Sequence, residues 1–228
     1  MKTYSVITFD LDNTLWPVEP SIIHAENELY NWLKIHYPKL TNRFSKEDIQ
    51  VFREPILEQY KDMLHDLTFV RTALLKKLAD SVGYPDSMAS EAMVVYRKAR
   101  NTISFYPDTM PAIEKLAKHF TLAAITNGNA EIEKMDIGQF FKKSFYSADI
   151  GVAKPHPEIF KTAIDYLGVE SRDIIHIGDD PTNDVMGAHK AGMDTIWLNR
   201  NNEVWPMDFS EPTYTLNNLS EVTDLLLY

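Results

Sequence analysis

A short, largely apolar run, Val6-Ile7-Thr8-Phe9, stops at two aspartates one residue apart, Asp10 and Asp12, and passes through Asn13 and Thr14 to Leu15. The run is too short for a helix core and reads as a parallel strand buried on both faces. Aspartates at the carboxyl end of such a strand lie where open α/β sheets place their active sites. Alternate residues of an extended chain share a face, so Asp10 and Asp12 can act together. Paired carboxylates there suit a metal ion and a nucleophile. The same pattern also serves as a plain loop start or helix cap, so its meaning depends on what else the chain brings to that edge.

The later sequence brings a good deal. It predicts buried strands over 120–125, 173–177 and 195–198, alternating with helices over 107–119, 157–167 and 182–191, while a short helix and connection lead through Ser144 to Ser147 into the loop at Lys154-Pro155. Gly168 and Gly192 stop the last two helices. A short strand over 213–216 and a terminal helix complete the pattern. Alternating strands and helices predict a parallel sheet covered on both faces. Residues 21–100 are different and read as helical throughout. Ser21 caps a helix carrying Ile22, Ala25, Leu29, Leu33 and His36 at helical spacing, and Ser45-Lys46-Glu47-Asp48 has the form of a capping box. Pro17 and Pro20 mark a hinge before it. The expected architecture is an α/β, Rossmann-like parallel-sheet core over 1–16 and 104–228, with an inserted all-helical cap over 17–103.

Composition narrows the function classes. A net charge of −10 argues against nucleic-acid binding, which neutralises phosphates with Lys and Arg. No apolar run approaches the ~20 residues a membrane span needs. The chain has no cysteine, which removes disulfides, zinc-thiolate sites and thiol nucleophiles. With no secretory leader visible before the first strand, a cytoplasmic location is expected. The oligomeric state is not legible.

Three predicted strands end in polar clusters: Asp10/Asp12, Thr126/Asn127 and Asp179/Asp180. Right-handed crossovers put all three on one sheet edge, and Lys154, ahead of Pro155, comes from another loop there. Four acids in one place repel unless a cation sits among them, and oxygen-only ligands with open positions suit Mg2+. Beside a metal, the Thr126 hydroxyl, the Asn127 amide and the Lys154 ammonium suit phosphoryl oxygens. Asp179 and Asp180 are equally readable as caps of the following helix.

The ordered set Asp10-Leu11-Asp12-Asn13-Thr14, Thr126-Asn127-Gly128, Lys154-Pro155 and Gly178-Asp179-Asp180 to Asp184 resembles the haloacid dehalogenase-like superfamily, whose first-type cap is a helical insert after the first motif. The resemblance implies that Asp10 is the nucleophile of an aspartyl-phosphate pathway. It implies that Asp12 is the acid that protonates the leaving alkoxide and then the base that activates water. It also implies Mg2+ on the Asp10 carboxylate, the Asp12 carbonyl and Asp179. Thr126, Asn127, Lys154 and Asn13 would contact substrate, with Asp180 and Asp184 around the metal and the lysine. Dehalogenases of the superfamily usually lack an acid at the position of Asp12, so its presence favours phosphoryl transfer.

His36-Tyr37-Pro38-Lys39-Leu40, His65 to Arg71, and Ala124 to Ala130 are similar to a bacterial branch of flavin mononucleotide (FMN) phosphatases, also credited with dephosphorylating 5-amino-6-(5-phosphoribitylamino)uracil in riboflavin synthesis. The implied partner is a small phosphate monoester. Nucleoside monophosphates or sugar phosphates are the alternative substrates, and a non-catalytic binding protein is a distant one. In the cap, Arg71 and Tyr60 are candidates to touch the leaving group, the alternative for Arg71 being an intra-cap salt bridge. Trp16 is a candidate substrate neighbour, whereas Trp32 and Trp197 read as core.

Overall fold

The computed structural model describes residues 4–206 and 210–228. The chain divides into two compact units, Met1–Pro17 with Ser104–Tyr228, and Val18–Ile103.

The first unit is a six-stranded parallel sheet. Its β1 (Val6–Phe9) is buried along its whole length, as a strand covered on both faces must be. The chain then passes through the second unit's helices α1 (Val18–His36), α2 (Pro38–Arg43), α3 (Lys46–Gln59), α4 (Leu67–Ser81) and α5 (Ser87–Arg100). Returning to the first unit, it forms α6 (Thr109–Leu116), β2 (Thr121–Thr126), β3 (Phe141–Tyr146), α7 (Ser147–Ile150) and α8 (Pro157–Leu167). Then come β4 (Ile174–Gly178), a π-helical turn over Pro181–Met186, α9 (Gly187–Lys190), β5 (Asp194–Leu198), β6 (Tyr214–Leu216) and α10 (Leu219–Leu227).

The strand order is β3-β2-β1-β4-β5-β6, with every neighbouring pair parallel. From β1 the chain winds outward through β2 and β3 on one side, and later through β4, β5 and β6 on the other. The reversal falls between β1 and β4, where Phe9 pairs with both Ala124 and Ile177. A doubly wound sheet opens its ligand crevice at such a switch point, beyond the carboxyl ends of the strands. Asp10 and Asp179 are the first residues past the two strands that flank it.

Helix α8 shows why the sequence folds this way locally. Pro157 starts it where a missing N–H costs nothing, Ile159, Phe160, Ala163 and Leu167 bury one face, and Gly168 ends it at φ 71°. That face packs on Val6, Ala123, Ile125 and Ile174 of the sheet. In the second unit, Ala25, Leu29 and Leu33 of α1 form a core with Met88, Ala92 and Tyr96 of α5, along which α1 packs.

Three local expectations are corrected. The break expected through Pro20 is shorter, because α1 begins at Val18, where the second unit starts, and takes Pro20 into its first turn, where helical N–H groups lack partners anyway. Strand β3 (Phe141–Tyr146) forms where the sequence reading has only a connection. Its exposed Lys142 and Lys143 disguise it, and lysines commonly occupy an edge strand such as this. The helix expected over 182–191 opens with a π-helical turn in which Asp184 and Val185 both donate to the Asp180 carbonyl. Among the described residues, no helix is long and apolar enough to cross a membrane.

Candidate active site

Beyond β1 the backbone stays paired for one more residue, Asp10 N–H donating to the Ile177 carbonyl at 2.8 Å. This fixes Asp10 at the switch point, where its side chain is buried. The ammonium of Lys154, also buried, donates to Asp10 Oδ1 and to Asp184 Oδ1, both at 2.6 Å. Asp184 Oδ2 accepts the Asp180 N–H at 3.0 Å, and Asp184 Oδ1 faces His176 Nε2 at 3.4 Å. His176 Nδ1 in turn meets Thr8 Oγ1 at 2.9 Å, so a buried polar chain runs from the strand core to the nucleophile candidate. Gly178 is required here, since a side chain on it would collide with the Asp184 carboxylate.

Carboxylate oxygens of Asp10, Asp179 and Asp184 all lie within 4.8 Å of one another. Burial, reinforced by Asp184 and Asp179, pushes the Asp10 pKa well above the ordinary carboxylate value against the pull of Lys154. Burial and then Asp184 raise Asp179 to about 7. Asp184 goes the other way: burial alone raises it, but Lys154 and His176 outweigh that and hold it below the ordinary range. For Lys154, burial depresses the ammonium, and Asp10 with Asp184 more than restores it above the usual lysine range. One ammonium therefore serves three carboxylates. An all-oxygen donor set with unspent negative charge fits a hard divalent cation such as Mg2+.

The Asp179 shift has a measurable consequence. Between pH 3.8 and about 7 the folded chain holds a proton there that the unfolded chain has released. Metal-free stability therefore falls as pH rises through that window. In EDTA the melting temperature is expected to be lower at about pH 8 than at about pH 5.5, and Mg2+ is expected to raise it more at the higher pH. A rise with pH and no response to Mg2+ would contradict this account of the cluster.

Asp12 sits apart from the cluster. Asn13 adopts a left-handed conformation, φ 61°, which Asn tolerates better than most residues. Its N–H donates to the Trp16 carbonyl at 2.7 Å, closing a tight loop. The Trp16 indole donates to Asp12 Oδ1 at 2.7 Å. Asp12 Oδ2 and Thr126 Oγ1 both border Gly128, where a side chain would strike the carboxylate.

Other expected site residues take different places. Thr126 Oγ1 accepts the Gly128 N–H at 2.9 Å. The Asn127 side chain brackets the Lys154 backbone, donating to its carbonyl at 3.0 Å and accepting its N–H at 2.7 Å. It anchors the loop that carries the lysine. Asp180 adds no oxygen to the cluster, since its carboxylate caps the next turn through Thr182 N, Asn183 N and Asn183 Nδ2. Arg71 lies within the helical unit, ion-paired with Glu26 at 3.4 Å and stacked 3.9 Å from the Tyr96 ring centroid. Tyr60 packs edge-on against Phe69. Trp16 is fully buried and has no face for a substrate to stack on.

Sequence reasoning missed three supports. Trp197 is core as expected, but its indole also holds the Asp179 carbonyl at 2.7 Å. Arg200 lies over the Tyr106 ring, donates to the Thr14 carbonyl and pairs with Asp108 at 3.0 Å. His176 looks like one polar residue in an apolar strand. Only its position two residues before Gly178-Asp179 hinted at more. A polar cavity of about 220 Å³ opens beside Asp179 and Asn13, with Tyr106, Asn201 and Glu203 among its lining residues.

The haloacid dehalogenase-like hydrolase family model matches residues 4–192, a span that contains every member of the carboxylate–lysine cluster. The chain is 31% identical over 230 residues to the 5-amino-6-(5-phospho-D-ribitylamino)uracil phosphatase YigB of Escherichia coli, covering 97% of this chain and 96% of that one. It is 29% identical over 203 residues to a glyceraldehyde 3-phosphate phosphatase of Methanopyrus kandleri, with 85% and 83% covered. Among solved structures, a 2-haloacid dehalogenase from Pseudomonas syringae pv. tomato superposes with a TM-score of 0.91 at 32% identity, over 98% of both chains. The match in family, sheet and acidic crevice has one outcome: the chain belongs to the haloacid dehalogenase-like hydrolases.

Proposed function

We propose that the chain is a cytoplasmic, Mg2+-dependent phosphatase that works through an aspartyl-phosphate on Asp10. Its preferred substrate is 5-amino-6-(5-phosphoribitylamino)uracil or FMN, and the helical unit Val18–Ile103 is the cap that selects the leaving group. The chain is a phosphoric monoester hydrolase. The different surroundings of its two leading carboxylates carry the mechanism. Asp10 is buried against an ammonium, as suits a nucleophile, and Asp12 accepts a neutral indole N–H, as suits a proton carrier.

In the first step an Asp10 oxygen bonds to phosphorus while the bond from phosphorus to the ester oxygen breaks. The Asp12 proton goes to the departing oxygen, which leaves as an alcohol. In the second, Asp12 takes a proton from water as the water oxygen bonds to phosphorus. The phosphorus–Asp10 bond breaks, and phosphate and the free carboxylate are restored. Lys154 neutralises part of the charge on Asp10 and on the entering phosphoryl oxygens. Mg2+, held by Asp10, Asp179 and the Asp12 carbonyl, would supply charge shielding between the carboxylates and the phosphate.

Similarity to the Escherichia coli enzyme supports the ribityl-phosphate preference, and the polar cavity beside Asp179 suits a hydroxyl-rich group. Nucleoside monophosphates and sugar phosphates remain the alternative. The relative from Methanopyrus kandleri, whose name specifies a triose phosphate, keeps them in view. The test is a panel with Mg2+, each member repeated with EDTA: the ribitylaminouracil phosphate, FMN, nucleoside monophosphates, glyceraldehyde 3-phosphate and 2-chloropropionate. Metal-dependent phosphate release peaking on the first two is expected. A peak on another ester discards the substrate assignment, and chloride release without phosphate release overturns the chemistry.

A further inference from the structure

We infer that Trp16 is a positioning residue for the acid–base aspartate: its indole N–H fixes which oxygen of Asp12 carries the transferred proton. This rests on the phosphatase reading above.

Indole is a donor only, with no lone pair in the ring plane to accept a proton. The oxygen that receives its N–H at 2.7 Å, Asp12 Oδ1, is the poorer place for a carboxylic-acid proton, because the hydroxyl oxygen of a carboxylic acid accepts a hydrogen bond more weakly than its carbonyl oxygen does. The proton is thereby directed to Oδ2, the oxygen beside Gly128 and Thr126 at the end of β2. Both the substrate's departing oxygen and the later attacking water must meet that one oxygen. A serine or histidine at position 16 would accept as readily as donate and would leave the choice open.

The indole is itself held in place. Trp16 is fully buried, with its ring edge-on to Phe105 at 5.8 Å, and its carbonyl closes the loop by accepting from Asn13. The preceding residue is pinned as well: the Leu15 carbonyl accepts from Tyr106 N at 3.1 Å and from Thr109 Oγ1 at 2.7 Å. A buried, braced donor aimed at a carboxylate loses little freedom when it acts, which is the condition for positioning a proton within a fraction of an ångström.

Leaving-group dependence separates this role from plain packing. An alkyl phosphate needs its departing oxygen protonated, whereas p-nitrophenyl phosphate departs as a stabilised phenolate. The value of kcat/KM covers the steps from free enzyme and ester through the first phosphoryl transfer and leaves out hydrolysis of the phosphoenzyme. Trp16→Phe is expected to lower kcat/KM on the best alkyl ester by roughly 10- to 100-fold, part of what a general acid contributes, and to change it by less than about 3-fold on p-nitrophenyl phosphate. In an Asp12→Asn background the same substitution is expected to add nothing on either ester. Should Trp16→Phe melt before it can be assayed, benzothienylalanine at position 16 keeps the ring shape and removes only the N–H. An equal loss on both esters, or a loss that persists without Asp12, overturns the inference. If the wild-type protein releases phosphate from neither ester, the phosphatase reading itself fails, and this inference with it.

Discussion

Asp10→Asn is expected to lower kcat/KM for phosphate release by at least roughly 1,000-fold, while the chain folds and melts no lower than wild type in metal-free buffer near neutral pH. The activity loss follows because an amide oxygen is a poor nucleophile toward phosphorus and forms no stable acyl phosphate. The stability result follows from the surroundings of Asp10. Burial and two neighbouring carboxylates make its ionised form costly, more than Lys154 alone repays. An amide of the same shape removes that charge and can still accept from Lys154, which keeps its second partner, Asp184, at 2.6 Å. Acid quenching of wild type during turnover is expected to trap phosphate on the protein, and quenching of the variant to trap none. A variant that keeps turning over removes Asp10 from the nucleophile role. A variant that fails to fold shows that the carboxylate is structural first.

The sheet was legible because its strands are buried on both faces. Runs such as Ile174 to Ile177 carry no polar alternation, and the polar residues that follow them stand out as strand ends. Glycine and proline marked the two ends of α8 for the same local reasons that apply in any helix. Legibility failed where one local signal had two structural solutions. Pro20 reads as a break, yet a helix's first turn has no N–H to lose there. Asp180 and Asp184 are both acids near a strand end. The tight turn gives Asp180 to backbone capping and sends Asp184 toward Lys154, an outcome settled by three-dimensional packing.

Side-chain direction was the other limit. Nothing in the spacing of Asn127 and Lys154 says that the amide brackets the lysine's backbone, because the two come from different loops, 27 residues apart. The network from Thr8 through His176 and Asp184 to Lys154 assembles residues from β1, β4 and the loops after β3 and β4, each unremarkable in its own segment. Trp16 gave a partial signal, four residues after Asp12 in a loop. A tryptophan in a loop invites a stacking role, and burial gave it a hydrogen-bonding one.

Lys154→Met is expected to abolish turnover as thoroughly as Asp10→Asn, but with the opposite effect on stability. Methionine fills much of the same space and leaves Asp10 and Asp184 facing each other, buried, without their shared cation. Removing one partner of a buried ion pair costs about 3–5 kcal/mol. The pH dependence already set by Asp179 should steepen as well. In wild type the Lys154-held Asp184 contributes stability above its unfolded pKa, and that contribution is lost only as acid protonates it below the ordinary range. Without the lysine, burial and mutual repulsion raise both carboxyls, so the variant gains stability as pH falls from about 7 toward about 5. Mg2+ is expected to restore part of the melting temperature at neutral pH and none of the activity, since it cannot replace an ammonium placed against both Asp10 and Asp184. Lys154→Arg is not expected to rescue turnover, because the guanidinium fork is wider than the site that holds one nitrogen 2.6 Å from two separate carboxylates. Melting curves of the three proteins at two pH values, with and without Mg2+, decide the matter. A Lys154→Met protein as stable as wild type at neutral pH would mean that the carboxylates are already protonated there, and the ammonium would lose its place as the counter-charge of the site.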